Sequence, residues 1–294
     1  MGSSIDLYTA HFGLTARPFS LVPDPDFLFW SDTHARAFSM LEYGILTRAP
    51  ITLITGEVGT GKTTLIHQLM TNHRDDVTIG LVANAQGDRG ELLRWVLLSL
   101  GQPVDHDAHY VDMFGQFQAY LVSEYAAGRR VVLIFDEAQN LTRDVLEELR
   151  MFTNINAHKD ELLQLIIVGQ PELRDMVLRP DLKQFAQRVA ASFHLPEMGA
   201  EGVEDYITHR LGVAGREEPI FDTYAMSAIY EATRGVPRLI NQLCDLVLVY
   251  AFTMDRQEVD ASVILQVLKD GVFFGGGFAA APPSFQRARA TEAS

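Results

Sequence analysis

The stretch "ITLITGEVGTGKTTLIHQLM" (51–70) restricts the fold more than any other part of the chain. "ITLIT" is a short apolar run rich in β-branched residues, which predicts a buried strand. A helix is predicted from about Lys62. The turn between them fits G-x-x-x-x-G-K-[ST] through Gly56, Gly61, Lys62 and Thr63. Its glycines let the backbone wrap around an anion with N–H groups pointing inward. The helix presents its N-terminus to the same anion. Gly56, Glu57, Val58, Gly59, Thr60, Gly61, Lys62, Thr63 and Thr64 are therefore the expected phosphate-binding residues. Lys62 reaches the β- and γ-phosphates and Thr63 is a ligand for Mg²⁺, so ATP and Mg²⁺ are the implied cofactors.

"RVVLIFDEAQ" supplies a second part of the same chemistry. A buried strand ending in Asp136 puts a carboxylate beside the loop, where it holds Mg²⁺ through water. Glu137 is the natural base for a water nucleophile. That pairing favours hydrolysis over transfer to a metabolite.

Strands and helices alternate through the first two thirds of the chain. Strands are expected at 51–55, 77–83, around 130–136, within "LLQLIIVGQ" and at 191–195. Helices are expected at about 31–48, from 62, and at 88–100, 109–127, 142–156 and 171–178. This pattern predicts an α/β P-loop core, a parallel sheet covered on both faces. From about Gly199 the strands stop. Helical periodicity near 200–213, 222–234, 236–253 and 260–269 predicts a small all-helical lid domain. The expected division is an N-terminal extended segment packing on the core (1–30), a nucleotide-binding domain (31–198), the helical domain (199–270) and a disordered tail (271–294).

Composition narrows the function classes. Twenty-four basic against 38 acidic residues give a net charge of −14, which argues against non-specific nucleic-acid binding. No apolar run is long enough to span a bilayer and no secretory leader is visible, so a cytoplasmic protein is expected. Cys244, the one cysteine, sits in an apolar helical pattern and is expected to fill the core. "DHDAHYVD" (105–112) fits no defined metal-ligand spacing.

Three further residues are candidates. Gln170 ends a predicted strand, where ligands gather in parallel sheets; it either touches the γ-phosphate or the attacking water, or caps the next helix. Arg188 precedes the last strand and is either an arginine finger for a neighbouring subunit or half of a surface salt bridge. Arg238 falls in the first turn of a helix after Gly235 and Pro237, where a cation opposes the helix dipole unless an external anion is its partner.

With these residues placed, the chain resembles the AAA+ ATPases. More narrowly it resembles the ExeA/GspA-type secretion ATPases, with relatives in type IV pilus (MshM-like) and exosortase/PEP-CTERM polysaccharide loci. The resemblance is carried by "FGLTARPFSLVPDPDFLFWSDTHARAFSMLEYGI", "ITGEVGTGKTTL", "FDEAQNL", "LLQLIIVGQPEL", "FAQRV" and "ATRGVPRLINQLCD", between about Tyr8 and Lys269. It implies that Gly56–Thr64 are Walker A, Asp136 and Glu137 Walker B, Gln170 the first sensor, Arg188 the finger and Arg238 the second sensor. It also implies a homo-oligomer with Arg188 acting in trans, and an envelope, pilus or polysaccharide-export partner that brings the protein to the inner face of the membrane. Two departures stand out: "AAS" (190–192) replaces a segment that often carries another arginine, and the transmembrane and peptidoglycan-binding parts of ExeA-type proteins are not found. The competing expectations are a DNA-associated ATPase of the transposition (TniB/IstB-like) type and a slow ATP-dependent binding switch.

Overall fold

The computed structural model describes residues 7–22, 24–72, 75–83, 89–157 and 160–274. The chain divides into two compact units, one of residues 32–196 and one in which residues 1–31 join 197–294.

The first unit is an α/β layer structure. Its strands are β1 (Ile51–Gly56), β2 (Val77–Ala83), β3 (Arg130–Asp136), a two-residue hairpin β4 (Asn156–Ala157) and β5 (Asp160–Glu161), then β6 (Leu163–Gly169) and β7 (Val189–Leu195). Five of them form one parallel sheet in the order β2-β3-β6-β1-β7. The interior strands β1 and β6 are buried at every position and β3 at all but its first. The edge strands β2 and β7 are partly exposed. A sheet covered on both faces demands this contrast.

Alternation along the strands sorts the side chains into two cores. Leu133, Phe135, Leu165 and Ile167 face α3 (Arg89–Ser99), α4 (Tyr110–Ala126) and α5 (Arg143–Phe152), meeting Leu93, Phe117 and Leu149 there. Val132, Ile134, Ile166 and Ile54 face the other way, against Leu41 of α1 (Asp32–Leu46) and Leu65 and Ile66 of α2 (Lys62–Thr71). Two short helices, α6 (Pro171–Val177) and α7 (Lys183–Ala186), lead from β6 into β7. The helix expected over 142–156 stops at Phe152. Thr142 caps its start by accepting a hydrogen bond from the Val145 N–H, and its buried stripe ends where the helix-poor run Thr153-Asn154-Ile155-Asn156 enters the hairpin.

The second unit contains α8 (Ala200–Val213), α9 (Thr223–Thr233), α10 (Pro237–Thr253) and α11 (Ala261–Lys269). Cys244 is fully buried among them, and burial pushes its thiol far up. The N-terminal segment corrects the expectation that it lies on the nucleotide-binding core. Tyr8, Phe12, Leu14, Phe19 and Phe27 are buried in the helical cluster instead. The physical reason is a set of polar anchors that apolar periodicity does not reveal. Buried Arg210 of α8 donates to the Pro18 carbonyl and stands over the Phe27 ring, 5.1 Å from its centre. Arg216 donates to the Phe12 carbonyl at 2.6 Å, and Asp245 of α10 receives both Arg17 and the Tyr8 hydroxyl at 2.5 Å. Of the tail expected from Gly271, residues 271–274 are described, and Phe273 is buried in the same cluster. Residues 275–294, with the rest of that tail, lie outside the described residues.

Candidate functional site

The site lies at the carboxyl ends of β1, β3 and β6, where three adjacent strands open into loops. The loop after β1 turns tightly: the Thr60 N–H and hydroxyl both donate to the Glu57 carbonyl, at 3.3 and 2.9 Å. Gly61 carries φ +99°, a backbone conformation that favours glycine. There is also no room for a side chain, because a Cβ on Gly61 would stand 2.7 Å from Nε2 of His34.

His34, on α1, is buried, and sequence reasoning did not find it. Its Nε2 lies 3.1 Å from the Thr60 carbonyl oxygen. A carbonyl only accepts, so the proton sits on Nε2. Burial pushes the imidazole pKa down, which favours the neutral ring. The peptide between Thr60 and Gly61 is planar and trans, so fixing its carbonyl on His34 aims the Gly61 N–H the opposite way. The helix begins at Lys62, and its first N–H groups have no partner inside it.

Lys62 is buried and donates through Nζ to the carbonyls of Gly56 at 2.7 Å and Glu57 at 2.8 Å. Burial pushes its pKa down, while the carboxylates of Glu137, Asp136 and Glu57 oppose that shift. Thr63 donates its hydroxyl to Oδ2 of Asp136 at 3.1 Å. Asp136 ends β3 in a buried position, which pushes its carboxyl pKa up; hydrogen bonds from the Glu137 N–H and Thr63 partly offset this.

Glu137 has φ +54°, a conformation uncommon outside glycine and worth attention beside a ligand site. Its Oε2 receives Nε2 of Gln139 at 2.5 Å and Nε2 of Gln170 at 3.3 Å. Gln170 stands at the N-terminus of α6 but makes no side-chain cap there. Its amide is turned towards Glu137, so the capping alternative does not describe it. Gln139 also escaped sequence reasoning; its only signal was its place in the run after the Asp-Glu pair.

Arg188 lies at the amino end of β7, whose register pairs Val189 with Ile51 and Leu195 with Gly56. At about 3.3 Å per strand residue, it is roughly 20 Å along the sheet from the loop of its own chain. Its guanidinium donates to Asn154, just before β4, and pairs with Glu161 of β5 at 3.5 Å. Arg238 belongs to the helical unit, in the first turn of α10 behind Pro237.

The strand order, the glycine loop and the paired acids define an AAA domain protein with the AAA+ fold, and the family model for the AAA domain matches residues 46–177. The chain is homologous to General secretion pathway protein A of Aeromonas hydrophila, with 38% identity over 253 residues, covering 86% of this chain and 46% of that protein. It thus spans about half the length of that relative. Among solved structures, Cdc6p of Pyrobaculum aerophilum has a TM-score of 0.64 at 17% identity, over 87% of this chain and 73% of that one. ORC2 of Aeropyrum pernix has a TM-score of 0.63 at 17% identity, over 86% and 71%. At such identity the likeness is one of fold. Among the described residues, no helix is long and apolar enough to cross a membrane.

Proposed function

We propose that the protein binds ATP with Mg²⁺, hydrolyses it, and couples hydrolysis to the assembly or regulation of an envelope secretion, pilus or exopolysaccharide-export system. The observation that carries the enzymatic part is the convergence of Lys62, the Thr63–Asp136 pair and the Glu137–Gln170 pair on three adjacent strand ends. The link to an export system rests on homology to General secretion pathway protein A.

The donor set suits a hard cation. Thr63 and Asp136 offer two neighbouring oxygens, and no three His, Cys, Asp or Glu side chains gather for a metal among the described residues. Mg²⁺ characteristically keeps waters and shares its shell with substrate phosphates. Thr63 and Asp136 would hold it there, and it would supply charge neutralisation at the β- and γ-phosphates. Lys62 exchanges its two carbonyl partners for phosphate oxygens. The N–H groups of the loop and of α2 bind the same phosphates. Glu137 accepts the proton of the attacking water, and Gln170 orients that water or the γ-phosphate. Arg188 lies too far along the sheet to serve its own loop. We assign it to a neighbouring subunit's nucleotide in a homo-oligomer, where it neutralises charge in the transition state. Arg238 is assigned the second-sensor role, so Arg238→Ala slows turnover.

Lys62→Ala should abolish nucleotide binding; tight residual binding of ATP would count against the loop. Glu137→Gln should retain ATP and stop turnover, and undiminished hydrolysis would refute the assignment of the base. Arg188→Ala should bind ATP and turn over slowly. Mixed with Glu137→Gln it should regain activity, because each subunit then supplies what the other lacks. No gain on mixing would remove the trans assignment.

A further inference from the structure

Gln139 occupies the single helical turn Ala138–Asn140 that follows Glu137. Its side-chain amide is used at both ends. Nε2 donates to Oε2 of Glu137 at 2.5 Å, and Oε1 accepts the Gln170 N–H at 3.0 Å. Only one orientation of the amide makes both bonds. Gln170 then returns its own Nε2 to the same Oε2 at 3.3 Å. One oxygen of Glu137 thus takes two amide donors, while Oε1 accepts no hydrogen bond from the described residues.

The close approach is built into β6. A Cβ on Gly169 would stand 2.8 Å from Oε1 of Gln139 and 3.2 Å from its backbone nitrogen. The strained backbone of Glu137 is held at both ends as well: its N–H donates to Asp136 at 2.9 Å and its carbonyl accepts the Asn140 N–H at 3.1 Å. Backbone and side chain together fix where the free oxygen points, which is what a preorganised base requires.

We infer that Gln139 is the positioning residue of the hydrolytic centre. It occupies Oε2 of Glu137, leaves Oε1 for the attacking water, and ties the aim of Glu137 to the end of β6 through Gln170. The inference rests on Glu137 being the base. The polar atoms of Gln139 bond to these two site residues and to no other described residue. A residue placed for packing alone would have no need of that pairing.

The test compares steady-state ATPase rates with binding of a fluorescent ATP analogue in Gln139→Leu and Gln139→Glu. Both variants should bind nucleotide within roughly threefold of wild type, while kcat falls roughly 10- to 100-fold, the scale of a misaimed catalytic group. Gln139→Glu keeps an acceptor for the Gln170 N–H but sets a carboxylate against Glu137, so its rate should be the lower. A Gln139→Leu rate within about twofold of wild type overturns the inference. Loss of nucleotide binding in both variants also overturns it, because Gln139 would then be a structural residue. Glu137→Gln is measured beside them. Wild-type hydrolysis in that variant defeats the assignment of the base itself, whereas a silent Glu137→Gln with active Gln139 variants defeats only the positioning role.

Discussion

Gly61→Ala tests how the phosphate loop is held, and its cost can be worked from two separate terms. The first is backbone. At φ +99° an L-residue pays roughly 1–2 kcal/mol for a left-handed conformation. The second is contact. The new methyl would stand 2.7 Å from Nε2 of His34, and that ring is buried and anchored on the Thr60 carbonyl. Moving it breaks a hydrogen bond worth about 0.5–1.5 kcal/mol. An empty variant loop relaxes away from the strained shape, and nucleotide binding must restore it. The sum, roughly 1.5–3.5 kcal/mol, therefore weakens ATP binding by roughly 10- to 300-fold at 1.4 kcal/mol per tenfold. A double-mutant cycle separates the terms. In a His34→Ala background the contact is gone and only the backbone cost remains, so Gly61→Ala should weaken binding by roughly 5- to 30-fold. Titration of a fluorescent ATP analogue into the four proteins reads both numbers. Equal penalties in the two backgrounds would refute the role given to His34. Binding within roughly threefold of wild type in Gly61→Ala alone would refute the backbone argument as well.

Two predictions concern stability. Phe12 is fully buried in the helical cluster and Leu21, in the same N-terminal segment, is 56% exposed; Phe12→Ala should cost about 3–5 kcal/mol in urea unfolding and Leu21→Ala under about 0.5 kcal/mol, and equal effects would mean the segment is not part of that core. Asp136 has its folded pKa raised by burial, so its ionised form costs stability at neutral pH, and that cost fades as the pH falls through the raised pKa towards the ordinary carboxylate range. Nucleotide-free Asp136→Asn should therefore melt higher than wild type at pH 7, with the gap closing in acid, while its Mg²⁺-dependent turnover is lost; an Asn variant that melts lower at pH 7 would contradict the burial argument.

The sequence alone determined the order of elements and the core of the site. Apolar strands ending in glycine or acid are legible because a strand buried on both faces is mostly apolar and β-branched, as are "ITLIT" before Gly56 and "VVLIF" before Asp136. The phosphate loop is legible because its chemistry is local: Gly56 to Thr64 carry their geometry in consecutive residues. Tertiary structure decided everything that depends on contact between distant segments. His34 supports Thr60 across 26 positions, and Gln139 binds Gln170 across 31, with no periodicity to announce either. The N-terminal segment joined the helical unit because Arg210, Arg216 and Asp245 offer it anchors roughly 200 residues or more away. The place of Arg188 at the far end of β7 from its own loop follows from the register of β1 against β7, which no single strand specifies. Local patterns determine what each segment becomes. Which polar atoms then meet is fixed only when the sheet is assembled, because hydrogen bonds need positions correct to a fraction of an ångström and apolar burial does not.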